Sequence, residues 1–393
     1  MEQKKNLIFL RCCYGYGVSG MAVLVIGAIL PSLIEEAGIS FLAAGGLLSV
    51  MAVGNFCASF LFSVLVPVFG RRFSITLMTA FVPLCLLGLC ALPPLPVMYV
   101  ILFIYGLARG SVTILNNGAV NDIYGDKAAG RLNLLHCSFA VGAFLAPFLT
   151  AVLISLGNGW RTVIYILILL TASSSLSYGT MDYNLLNEKA KDLGERESRN
   201  ELDERSFLKH PEFYCIAFIL FFYLGVENCI NGWFVTYLQN TGVMGEAYAT
   251  ALVSFTWLVI MAGRLVCACL SRTKKKSSII LMNGVGSGIC FFVMISTTSL
   301  PIITLSLLGF GFFLAGIYPT CVADAGPLIQ GSTLGMSVLT AISAAGGIIS
   351  PQLVGWAGDR IGIVAAMGIL TVNVIAVIFL AAVNTRKKIA GAH

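Results

Sequence analysis

Long runs of this chain pass without a single Asp, Glu, Lys or Arg, residues 37–70 and 277–323 among them. A helix of about 20 apolar residues satisfies its own backbone polar groups and crosses the hydrocarbon core of a bilayer. Runs of this length therefore dictate helices in lipid rather than a core under water. Composition agrees: 58% of the 393 residues are hydrophobic and 11% are charged, against about 25% charged in an ordinary soluble domain. Mean hydropathy is +0.91.

At about 20 residues each, twelve spans use about 240 positions and leave room for connections, one of them long. Apolar runs between charges and turn residues place spans at 7–34, 40–69, 73–93, 97–122, 132–156 and 161–181. The second half repeats the pattern at 211–239, 247–271, 277–298, 301–323, 331–356 and 362–384. Residues 182–210 are the one long polar segment, a solvated linker that divides the chain into bundles 1–181 and 211–393. The expected fold is an all-α membrane protein of twelve transmembrane helices in two pseudo-symmetric six-helix bundles.

The net charge of +6 is a topology signal. Lys4, Lys5, Arg11, Arg71, Arg72, Lys127, Arg131, the linker bases, Arg272, Lys274–Lys276 and Arg386–Lys388 flank alternate connections, and the opposite ones hold only Arg161 and Arg360. The positive-inside rule then puts both termini in the cytoplasm of a bacterial-type cell membrane, which needs an even number of spans. The first span is too long for the apolar region of a signal peptide and is read as retained. Nucleic acid is excluded as a partner. The partners read from the sequence are the lipid bilayer and a small-molecule solute, with the chain a monomer.

The twelve cysteines all fall in predicted spans, without C-x-x-C spacing or His partners, and read as packing residues rather than a metal site or disulfide framework. Gly284-x-Gly286-x-Gly288 and Gly331-x-x-x-Gly335 lack the Lys-Ser/Thr of a phosphate loop and read as close helix contacts. No nucleophile, dinucleotide or zinc pattern is visible, so the chain reads as no enzyme and calls for no cofactor. A receptor would need a signalling module beyond the short polar tail after residue 384.

The halves echo one another. Gly142-x-x-x-x-Pro147 recurs as Gly346-x-x-x-x-Pro351, Asn117-Gly-Ala-Val-Asn-Asp122 as Pro319-Thr-Cys-Val-Ala-Asp324, and the basic turn at Phe69–Arg72 as Ser271–Lys276. Phe69-Gly-Arg-Arg72 resembles the end of the helix 2 to helix 3 signature of the major facilitator superfamily, with Pro67 where that signature has Asp. Gly130-Arg-Leu-Asn-Leu-Leu-His136, Leu224-Gly-Val-Glu227, Gly232–Tyr237, Gly316-Ile-Tyr-Pro-Thr320 and Gly346–Arg360 are similar to its fucose permease-like branch. The resemblance implies two six-helix bundles, alternating access and, for the branch, sugar/proton symport.

An ionisable residue within a bilayer is costly and is a functional candidate by default. Glu227 lies in the middle of span 7 with Asn228 beside it and Asn231 one turn on. It is the candidate proton carrier, and the amides are candidate ligands for sugar hydroxyls. Arg109 lies in the middle of span 4, followed by Thr113, Asn116 and Asn117. The family places spans 1, 4, 7 and 10 around a central cavity, which would set Arg109 and Glu227 on facing bundles. They would there form a closing salt bridge or a fixed structural pair, or Arg109 would receive an anionic substrate. Tyr14 of span 1 and Trp233, with Trp257 and Tyr237, are candidates for stacking on a sugar face. His136 is a second titratable candidate for proton coupling. Asp122 and Asp324, with Arg71 and Arg72, are read as gate-forming charges at the cytoplasmic ends. Branch members often carry acids in helices 1 and 4; here stand Tyr14, Tyr16, Ser19 and Thr113. Glu227 is thus left as the only central carboxylate. The rivals are a uniporter and an exporter of drugs or organic anions.

Overall fold

The computed structural model describes residues 2–124, 128–184, 186, 206–329 and 333–390. Most of the expected linker, Lys127 and Gly331 lie outside the described residues. Twelve candidate membrane spans are present: Glu2–Ala37, Phe41–Phe62, Val64–Cys90, Leu95–Tyr124, Leu134–Ser155 and Trp160–Gly179, then Pro211–Asn240, Glu246–Leu270, Lys276–Ile295, Leu300–Leu328, Gly335–Ile361 and Ile363–Arg386. They are numbered here in that order. The described residues form two compact units, Met1–Ile39 with Gly46–Asn200, and Ser40–Gly45 with Glu201–His393. The first turn of span 2 thus packs with the second unit.

Spans 2 and 3 run through one helical stretch, Phe41–Cys90, broken at Gly70 with φ 78° and ψ 159°. Only glycine takes that conformation at no steric cost, which explains the Gly in the Phe69–Arg72 turn. The Ser74 hydroxyl donates to the Gly70 carbonyl, one turn back, at 2.8 Å.

Within each unit the same pair of positions packs extensively: span 1 on span 5 in the first, span 7 on span 11 in the second. The repeated Gly142 and Gly346 make this possible. A Cβ at Gly142 would overlap the Gly17 carbonyl oxygen, and one at Gly346 the Phe221 carbonyl oxygen. Without water to drive apolar burial, such close backbone approach is a main source of helix association in lipid.

Proline explains one of the two places where the expected spans and the helices differ. Span 10, read from the sequence as one helix over 301–323, is two: Leu300–Leu314 and Ile317–Ala325. Pro319 lacks the N–H that would bond the carbonyl of Ala315, and its ring crowds that carbonyl, so the helix breaks at Ala315–Gly316. Span 12 opens on a short helix, Ile363–Ala366, and a 3₁₀ turn, Met367–Ile369, before Leu370–Ala390. Pro351 likewise leaves the Gly347 carbonyl without an intrahelical partner, and the Asn228 amide nitrogen of span 7 fills the vacancy at 2.9 Å. All twelve cysteines are free thiols.

The ends opposite the basic connections are tied by charge. In the first unit Glu36 accepts hydrogen bonds from the Trp160 indole at 2.7 Å and from Arg161 at 2.8 Å, and Arg161 also donates to the Cys90 carbonyl. In the second, Asp359 accepts the backbone N–H groups of Phe41 and Leu42 at 2.7 and 2.9 Å, an N-cap supplied from span 11 to the first turn of span 2.

Candidate functional site

Span 7 carries the polar centre of the second unit. Helical spacing sets Tyr223 one turn before Glu227, and the buried tyrosine hydroxyl donates to Glu227 Oε1 at 3.1 Å. Arg264 of span 8 brings its guanidinium to 4.0 Å from the same oxygen. The Tyr318 ring, just past the break in span 10, lies 5.9 Å from that of Tyr223. A half-buried carboxylate thus meets a phenol and a loosely seated cation, and the ion pair is long enough for either member to take another partner. The sequence paired Glu227 with Arg109; in this unit the guanidinium beside Glu227 is that of Arg264. Tyr223 and Tyr318 were not singled out from the sequence. Their signals were present, an i−4 spacing to the carboxylate and a place inside Gly316–Thr320.

The other candidates on span 7 divide. Asn228 is committed to Gly347, and the fully buried Trp233 donates its indole N–H to the Pro351 carbonyl at 3.0 Å. Asn231 Oδ1 is buried and has no hydrogen-bond donor among the described residues.

In the first unit, Arg109 lines a small pocket together with Ser19 of span 1, Thr79 of span 3, and Thr171 and Ser174 of span 6. Its Nε is buried without a hydrogen-bond partner among the described residues. One turn earlier, Tyr105 gives its hydroxyl proton to the Ala22 carbonyl at 2.6 Å. Asn116 is fully buried with both amide atoms against the Tyr178 hydroxyl, at 2.9 and 3.1 Å. Asn117 Oδ1 is buried and unpaired, and Thr113 is half-buried. Tyr14, exposed, shares a 2.5 Å hydrogen bond with Ser173. His136 is exposed, with its ring edge-on to Tyr16 at 5.4 Å. Arg71 pairs with Asp122, Arg72 donates to the Gly179 carbonyl at 2.6 Å, and the buried Asp324 accepts Asn384 at 3.0 Å.

A model of the Major Facilitator Superfamily matches residues 12–335. The chain belongs to this superfamily. It is an integral membrane transporter, not an enzyme. Among its relatives, the Glucose/mannose transporter GlcP of Bacillus subtilis is 26% identical over 70% of this chain and 69% of its own length. Sodium-dependent glucose transporter 1A of Mus musculus is 24% identical over 56% of this chain and 59% of its own. Bypass of stop codon protein 6 of Saccharomyces cerevisiae is 22% identical over 91% and 78%. The solved D-xylose-proton symporter shares the fold, with a TM-score of 0.78 at 14% identity, covering 96% of each chain. The nucleoside transporter NupG follows at 0.75 and 13%, over 98% of each. As a superfamily fold, the twelve spans and their two repeated halves account for the sequence echoes.

Proposed function

We propose that this transporter moves a monosaccharide or a closely related polar solute by alternating access, with Glu227 coupling the movement to protons. The observation that carries the proposal is the Glu227, Tyr223 and Arg264 cluster in the interior of the second unit. A buried carboxylate is retained in a bilayer at considerable cost. When Glu227 takes a proton from the medium, its attraction for Arg264 is lost and the tyrosine hydroxyl is free to turn to another acceptor. Loss of the proton restores the pair. Binding of solute and proton together would then favour one conformational state by differential affinity. Each proton entering contributes about 2.3 kcal/mol per 100 mV of membrane potential.

The buried, unpaired amide oxygens of Asn231 and Asn117 support a hydroxylated solute. An acceptor without a donor is expensive in a low-dielectric interior, and a sugar hydroxyl would supply one. The glucose transporters among the relatives support the same class. The residues assigned to the solute are Thr113 and Asn117 in the first unit and Asn231 in the second, with Arg71, Arg72, Asp122 and Asp324 as gating charges and His136 as a second titratable group. The chain acts as a monomer with both termini in the cytoplasm of a bacterial membrane. Uniport is the second reading, favoured by Ser19 and Thr113 in spans that carry acids elsewhere in the branch.

The test is uptake of labelled monosaccharides into proteoliposomes, with and without an inward proton gradient, for wild type and Glu227→Gln. Gradient-driven accumulation in wild type, with only equilibrative exchange in the variant, is the expected result. Equilibration indifferent to the gradient in both would establish uniport, and absence of any sugar flux would overturn the substrate class.

A further inference from the structure

The pocket around Arg109 lies wholly within the first unit and does not depend on the solute being a sugar. Four spans contribute to it: Ser19 from span 1, Thr79 from span 3, Arg109 from span 4, and Thr171 and Ser174 from span 6. None of these neighbours carries a negative charge. A guanidinium stays protonated in proteins and presents five donors without an acceptor. Among the described residues the ion pairs are Lys4 with Asp182, Arg71 with Asp122, Arg161 with Glu36 and Arg264 with Glu227, so Arg109 has no carboxylate partner.

The hydroxyls sharpen the picture. Thr79 gives its proton to the Ile75 carbonyl at 2.7 Å and Thr171 to the Leu167 carbonyl at 2.7 Å, both on their own helices. Ser19 does neither: its Oγ is buried and unbonded among the described residues, as is Arg109 Nε. Two uncommitted donors, one of them charged, therefore line one small cavity inside the first unit. Burying an unpaired charge or donor is the costliest arrangement available to a protein interior. A ligand that accepts hydrogen bonds and carries negative charge answers both needs at once.

We propose that this pocket binds a small monovalent anion, held by Arg109 and Ser19. Two sources share that chemistry: an inorganic anion of chloride size that accompanies the solute, and a carboxylate borne by the solute itself.

The experiment measures the thermal unfolding midpoint of the purified full chain in lipid nanodiscs, titrated with chloride or acetate at constant ionic strength against methanesulfonate. Wild type should show a saturable rise with at least one of the two. Ser19→Ala should weaken apparent affinity about tenfold, the cost of one hydrogen bond to a charged ligand. Arg109→Lys should retain a weaker response, and Arg109→Gln should lose it. Should the glutamine variant fail to fold, the serine and lysine variants carry the test. Chloride binding together with flux that stops when chloride is removed assigns the site to a co-ion. A response to acetate alone, with flux confined to carboxylate-bearing solutes, assigns it to the solute. No saturable response in wild type, or one identical in all folded variants, overturns the proposal.

Discussion

At the scale of single residues, proline and asparagine act as a pair. Pro351 removes a backbone donor from span 11, and Asn228 reaches across from span 7 to serve the carbonyl thus released. Replacing Asn228 with Ala should lower stability by about 1–3 kcal/mol, because a buried acceptor is left unsatisfied. Unfolding midpoints in nanodiscs would measure it. A drop in transport without a drop in stability would instead mark Asn228 as a solute ligand. The same logic applies to Asn116: Tyr178→Phe should destabilise by about 1–3 kcal/mol, with the folded fraction still active. Glu227 differs in kind, since Glu227→Gln keeps the shape and the tyrosine hydrogen bond while removing the charge. Its expected signature is lost coupling with little change in midpoint. The candidacy of Glu227 and Arg109 was legible in the sequence because charge in a hydrophobic run is conspicuous. The partners of Asn116, Asn228 and Trp233 were not, because an amide or indole spends its hydrogen bonds on whichever group the fold sets beside it.

At the scale of helices, glycines at matching positions govern the closest contacts. Gly142→Ala and Gly346→Ala each press a methyl group into a neighbouring carbonyl and should cost about 1–3 kcal/mol. Gly118→Ala serves as the control: a Cβ there meets nothing, so the substitution should be neutral or stabilising by up to about 1 kcal/mol. Equal behaviour of all three in thermal unfolding would remove the packing argument. Asp359 tests helix capping, since its carboxylate accepts two backbone N–H groups at the start of span 2. Asp359→Ala should cost about 1 kcal/mol, and Asp359→Asn, which keeps one acceptor oxygen, less. Ten of the spans were legible at nearly their full length from apolar runs. The break in span 10 was not, although Pro319 was in plain view. A proline in a membrane helix kinks, breaks or is tolerated according to what its neighbours offer the freed carbonyl.

At the scale of the whole molecule, the distribution of basic residues predicts a cytoplasmic C-terminus. A green fluorescent protein fused after His393 should be fluorescent in cells, and a periplasmic phosphatase fused there should be inactive; the opposite pair of results would reverse the topology. Motif resemblance pointed to the family, while the length of apolar runs determined the solvent and the number of spans. Those properties depend on which residues prefer lipid and which prefer water, and each residue carries that preference with it. Which polar groups meet was decided only by tertiary structure. The carboxylate of Glu227 could have found any cation on any span, and it is the crossing of spans 7 and 8 that seats Arg264 beside it while Arg109 is left among hydroxyls. Side-chain partnership depends on distances of a few ångströms between helices far apart in the chain, and no local property of the sequence contains those distances.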